Sequence, residues 1–152
     1  MAALDPWDEQ LESATALLDQ LTGGGRSGRI FIHAPCDWRV EIRGSTRTVR
    51  IQAAYTGGRP DLDDYRLVVI YALGYHGPPA ETHPATFTKQ LSLHEGHHWD
   101  EQTLREIVLE ALGLLRHVLG VPASADLRLD DQTRPAPGLA LTRGRLPKRR
   151  RS

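Results

Sequence analysis

Trp38-Arg39-Val40-Glu41-Ile42-Arg43-Gly44-Ser45, running on through Thr48-Val49-Arg50-Ile51-Gln52-Ala53-Ala54-Tyr55, is the stretch that decides the fold class. Trp38, Val40 and Ile42 alternate with Arg39, Glu41 and Arg43. After the Gly44-Ser45 turn, Val49, Ile51, Ala53 and Tyr55 alternate with Thr48, Arg50 and Gln52. A period of two residues puts the apolar set on one face of a strand and the polar set on the other, so the segment predicts an antiparallel hairpin. With one face apolar and the other charged, the sheet is expected to be covered on one side and wetted on the other, with helices supplying the cover.

Working outward, Arg29-Ile30-Phe31-Ile32-His33 is β-branched and aromatic and reads as a strand, and the Pro35 that closes it suggests an edge or short strand. Tyr65 to Leu73 is apolar at almost every position and reads as a central strand. Phe87, Lys89, Leu91 and Leu93 alternate with Thr88, Gln90 and Ser92, which brings the sheet to about five strands. Trp7, Leu11, Ala14, Leu17, Leu18 and Leu21 recur at helical steps, with Asp5 as the cap and Gly23-Gly24-Gly25 as the stop. A second helix starts at the cap Asp100, carries Leu104, Ile107, Val108, Ala111, Leu112, Leu115, Val118 and Leu119 on its apolar face, and stops at Gly120 and Pro122.

These elements predict an α+β two-layer sandwich, an antiparallel sheet of about five strands covered by an N-terminal and a C-terminal helix. They divide the chain into an α+β domain over 1–121 and a flexible basic tail over 122–152, whose end mixes Pro, Gly, Thr, Leu and Arg with no acid. At 152 residues the chain suits one core, and its 39% apolar and 25% charged residues are ordinary for a globular protein.

The formal net charge of zero hides a segregation. All 19 acidic residues and 12 of the 19 basic ones lie between Asp5 and Asp131, giving that part −7. The other seven cations, Arg134, Arg143, Arg145, Lys148, Arg149, Arg150 and Arg151, give the rest +7. Cys36 stands alone and excludes an intramolecular disulfide framework. The acids of the opening segment do not suit a signal peptide, and no apolar run approaches the ~20 residues of a membrane-spanning helix, so a cytoplasmic protein with no membrane contact is expected.

His94-Glu95-Gly96-His97-His98 satisfies H-E-x-x-H, in which two histidines one helical turn apart bind zinc and the Glu acts as general base. That chemistry needs a helix, whereas the segment falls between a strand ending at Leu93 and a helix capped at Asp100, with Gly96 in its middle. A zinc-dependent hydrolase centred on His94, Glu95 and His98 is therefore the alternative, and a polar loop the preferred reading. His76, His83, His94, His97 and His98 also cluster in sequence and would bind a metal only if they converge in space. Gly23 to Arg29 lacks the lysine of a phosphate-binding loop and precedes a strand where that chemistry needs a helix N-terminus. Cys36 and His33 would point to opposite faces of an extended segment, with no orienting acid, so Cys36 reads as a buried thiol or a bystander.

In its order of elements, helix, strand meander, proline-containing loop and helix, the chain resembles the ubiquitin-conjugating and RWD-like architecture. His83-Pro84 is followed by Ala85 where the conjugating family has Asn, and no cysteine follows Cys36. The resemblance implies an inactive relative used for binding. No catalytic set and no cofactor are thus expected. Arg143, Arg145, Lys148, Arg149, Arg150 and Arg151 can neutralise phosphates, and without interleaved aromatics they suit a sequence-independent anchor on nucleic acid or another polyanion, or a tail attracted to its own acidic domain. The function expected is a non-enzymatic binding or adaptor protein that meets a protein partner through its domain and a polyanion through its tail. Trp7, Trp38 and Trp99 are its candidate anchors. A scaffold or assembly subunit of a larger complex is a further alternative.

Overall fold

In the computed structural model, which describes residues 6–58, 60–77, 85–94, 96–123 and 125–136, helix α1 (Pro6–Thr22) forms where the apolar spacing places it. Trp7, Leu11, Ala14, Leu18 and Leu21 on its inner face are all buried. Gly23 N–H donates to the Asp19 carbonyl at 2.9 Å, and Gly24 at φ +84° turns the chain out of the helix. Asp5 lies outside the described residues.

Strands β1 (Arg26–His33), β2 (Trp38–Gly44) and β3 (Thr48–Tyr55) follow as an antiparallel meander. Its register sets Ile30 opposite Ile42, Ile32 opposite Val40, and Ile42 opposite Ile51. Ala34 N–H donates to the Trp38 carbonyl across the first turn, and Ser45 N–H to the Thr48 carbonyl across the second. Pro35 sits in the first turn, beyond the strand, so β1 is not at the edge as its proline suggested.

Residues expected as a central strand form helix α2 (Asp64–Ala72) instead. The Asp63 side chain accepts the Arg66 N–H at 2.8 Å and caps the first turn. A continuous apolar run does not itself distinguish strand from helix. Here Ile70 is buried, Leu67 and Leu73 pack against the core, and Tyr65, Val68 and Tyr71 face outward at three-residue steps. Strand β4 (Ala85–Ser92) pairs with β3 in the register Ala53 to Phe87. Helix α3 (Glu101–Gly113) begins at the expected cap, Asp100 accepting the Thr103 N–H at 2.7 Å, and continues through one π-helical turn over Leu114–Val118.

The expectation of a tail from residue 122 meets a second correction. Val121, Ala125 and Leu127 are buried, and Arg128–Pro135 forms strand β5, paired antiparallel along the whole of β1. Arg128-Leu129-Asp130-Asp131-Gln132-Thr133-Arg134 lacks apolar alternation because an edge strand is held largely by main-chain hydrogen bonds, and charge on it discourages pairing with other chains. The sheet has five strands in the order β4-β3-β2-β1-β5. The order of elements on which the resemblance to the ubiquitin-conjugating architecture stood is not the observed one, since α2 replaces the fourth strand and β5 follows α3.

Both long helices and α2 lie on the same side of the sheet. Leu18, Leu21, Ile70, Leu104, Val108 and Leu115 form one buried cluster with Ile30, Ile32, Val40, Ile42, Val49, Ile51 and Phe87. Each such side chain contributes about 1.5–3 kcal/mol relative to its exposed state. The Trp7 indole donates to the Ala123 carbonyl at 3.0 Å and Gln10 to the Leu127 carbonyl at 3.3 Å, so α1 holds down the segment that leads into β5. Among the described residues no helix is long and apolar enough to cross a membrane.

Two measurements test the role of β5. A chain ending at Val121 should lose the cooperative thermal transition that one ending at Ala136 retains, as followed by circular dichroism. Gly28, at φ +119°, lies so close to β5 that a methyl group there would overlap the Gln132 carbonyl and sit 3.0 Å from Thr133 Cα. Gly28→Ala is expected to destabilise the fold by more than about 1 kcal/mol in denaturant titration.

Candidate functional site

With every helix on one side, the strand residues that alternate with the core ones have no protein layer over them among the described residues. The register arranges them in three rows across the sheet. The first runs Gln90, Arg50, Arg43, Arg29, Gln132. The second runs Thr88, Gln52, Glu41, Phe31, Asp130, and the third Thr86, Ala54, Arg39, His33, Arg128. By the same alternation Arg134 extends the face along β5.

Three arginines therefore stand directly opposite one another on β3, β2 and β1, an arrangement that costs free energy in a sheet. Glu41 offsets part of it, with its carboxylate bonded to Arg43 and 3.7 Å from Arg29. Among the described residues Arg50 reaches only the neutral Gln52 amide oxygen, at 3.2 Å. On this face Arg29, Arg39, Arg43, Arg50, Arg128 and Arg134 stand against two carboxylates, Glu41 and Asp130. The helical layer is opposite in sign. Helices α1, α2 and α3 with the π-helical turn hold eight acidic and three basic residues, whereas the five strands hold eight basic and three acidic. The acidic body expected from the sequence is thus itself bipolar, across its two layers.

Phe31 lies in the middle row, only 6% exposed although it faces away from the core. Its neighbours on the face provide the cover. The Arg29 and Arg39 guanidinium carbons each lie 5.2 Å from the ring centroid, and the His33 ring stacks on it at 5.7 Å with 30° between planes. The His33 Nε2 lies 3.8 Å from the Asp130 carboxylate, which also accepts from Gln132 at 3.0 Å. Partial burial, then the Arg128 charge, holds the imidazole below its ordinary value of 6.5, with Arg39 adding to the shift and Asp130 opposing it.

The residues singled out by motif are not brought together in this way. His94 and His97 share a turn, His97 N–H donating to the His94 carbonyl at 3.0 Å, and their rings meet edge-on at 5.9 Å. Gly96 takes φ +84°, and the described residues between 94 and 100 are not helical. His98 borders a shallow cleft with Asp19, Thr22, Thr46 and Trp99. His94 and His98 therefore lack the one-turn placement that zincin chemistry requires. Glu95 and His83 lie outside the described residues, and His76 pairs its backbone with Thr88 at the far edge of the sheet. Among the described residues no three of the His, Cys, Asp and Glu side chains are grouped to hold a metal ion. Arg143, Arg145, Lys148, Arg149, Arg150 and Arg151 also lie outside the described residues.

Cys36 is exposed in the turn between β1 and β2, not buried, because the sharp reversal at Pro35 and Asp37 turns it to solvent. Trp7 and Trp38 are core residues, and Trp99 is partly buried against the core. Among the described residues the exposed large apolar side chains are instead Tyr65, Val68 and Tyr71 on α2 and Leu109 on α3. Compared with protein-family models, curated proteins and solved structures, the chain matches none.

In a nuclear magnetic resonance titration the His33 midpoint is expected below 6.5, and Arg128→Gln should raise it. Between the folded midpoint and 6.5 the unfolded chain binds the proton more tightly, so stability rises with pH across that window. The contribution is full above 6.5 and is lost as the pH falls through the folded midpoint. His33→Gln should flatten this part of the stability profile in denaturant melts at successive pH values.

Proposed function

We propose that the protein is a non-enzymatic binding protein that holds a polyanion on the open face of its sheet, with the cations of residues 143–151 adding to the attraction. The row of Arg50, Arg43 and Arg29 carries this proposal. Three like charges set side by side across adjacent strands, with one carboxylate between two of them, are stabilised when phosphates or sulfates come to lie over them and release their own counterions. The acidic helical layer favours a single orientation, sheet toward the polyanion. An adaptor also meets a protein, and the outward stripe of Tyr65, Val68 and Tyr71 on α2, rather than any tryptophan, is the apolar surface that supports this second contact.

The test is a salt series on heparin and on labelled nucleic acid. It compares the natural full chain, a chain with the six cations of 143–151 replaced by glutamine, and a chain carrying Arg43→Gln with Arg50→Gln. The sheet variant is expected to bind all polyanions more weakly, and its dependence of log affinity on log salt should fall by about 1 for each arginine removed. Binding that disappears only with the cations of 143–151, or that is absent from the natural chain at low salt, rejects the sheet as the site.

A further inference from the structure

We infer that the polyanion taken by this face is a single-stranded nucleic acid, whose bases stack on Phe31 and His33 while its phosphates lie on the arginine rows, an inference that rests on the polyanion-binding proposal above. An arginine patch alone serves any polyanion. What separates this face from such a patch is the pair of rings in its middle. Phe31 is the large apolar ring on the side of the sheet that no helix covers among the described residues, where alternation otherwise places Arg, Glu, Asp, Gln, Thr, His33 and the small Ala54. Its shelter consists of two guanidinium groups and an imidazole, all on side chains that also face solvent. The Arg29 side chain is 42% exposed and that of His33 27%.

Guanidinium groups drawn onto phosphates leave the ring face to the next flat group that arrives. Unstacked bases are such groups, and their stacking on aromatic and arginine planes is the common physical basis of single-strand binding. Dimensions agree. Neighbouring strands lie about 4.8 Å apart and residues advance about 3.4 Å, so Arg50, Arg43 and Arg29 span about 10 Å, and the Arg43 and Arg39 rows are separated by about 13 Å. Phosphates on one row leave the bases over the middle row, on Phe31 and among the hydrogen-bonding groups of Gln52, Thr88 and the two carboxylates that flank the ring, Glu41 and Asp130. A duplex keeps its bases stacked inside, and its major groove takes a protruding helix or ribbon, which a sheet face does not offer. An acidic peptide has the charge but no flat π-face to replace the guanidinium groups.

The experiment uses the full chain with oligo-dT and oligo-rU of about a dozen nucleotides, a duplex of equal length, heparin and polyglutamate. Natural protein should prefer the single strands. Phe31→Leu, which keeps an apolar side chain, should weaken single-strand binding about 5- to 100-fold while leaving heparin binding unchanged, and Phe31→Tyr should retain it. Thermal melts verify that each variant is folded. Photocrosslinking of the natural protein with a bromouridine oligomer gives a readout independent of any variant, and adducts are expected on the peptide containing Ile30–His33.

Equal binding of single strand, duplex and heparin by the natural chain, with Phe31→Leu unchanged, overturns the stacking inference and leaves the polyanion proposal standing. So do a Phe31→Leu chain that is folded but weakened equally on every probe, polyglutamate that competes as well as the oligomers, and crosslinks confined to other peptides. No binding of any probe at low salt overturns both.

Discussion

A strand that buries one face must offer the other, and the rest of this molecule follows from that constraint. Val40 and Ile42 of β2 turn inward beneath α1 and α3, and Arg39, Glu41 and Arg43 are thereby committed to the opposite side. The same alternation runs through β1, β3 and β4, locked by one antiparallel register, and a slip of one residue in β1, β2 or β3 would bring arginines into the core. Burial of Ile30, Ile32, Ile42 and Ile51 thus fixes, as a by-product, where three neighbouring guanidinium groups stand. Core and surface are two readings of one pattern.

Where the chain's own short-range chemistry is sufficient, the sequence reads correctly. The hairpin of 38–55, the spacing of α1 and the Asp100 cap of α3 each carry their instruction within a few residues. Tyr65 to Leu73 does not, because its apolar positions suit a strand and a helix equally, and the helix is favoured by the Asp63 cap together with the packing of Leu67, Ile70 and Leu73 on a core assembled from distant segments. Strand β5 is legible least of all. Apart from Leu129, which packs against the core, its side chains show no apolar alternation, and it becomes a strand because β1 presents a free edge about a hundred residues away in sequence. A contact of that range leaves no periodic trace.

The candidate site has the same history. Arg29, Arg39, Arg43 and Arg50 are visible in the sequence as outward positions of strands, but that they form rows depends on register and strand order, which no local pattern encodes. Phe31 was readable as a strand residue, and its setting under Arg29 and Arg39 was not. Conversely, His94-Glu95-Gly96-His97-His98 is conspicuous as a string yet is laid out as a turn and a short connection. Motif spelling reports neighbours along the chain, whereas chemistry depends on neighbours across it.

The separation of charge between the layers has a consequence for motion as well as for contact. Eight acidic groups in the helices and eight basic ones in the strands give the domain an electric dipole moment directed across its thickness. In the field of an extended polyanion such a body experiences a torque before it touches anything, and diffusional encounters are converted into sheet-first collisions over a range set by the Debye length, about 8 Å at physiological ionic strength. Orientation is then settled during approach, and association depends less on rotational search at the surface.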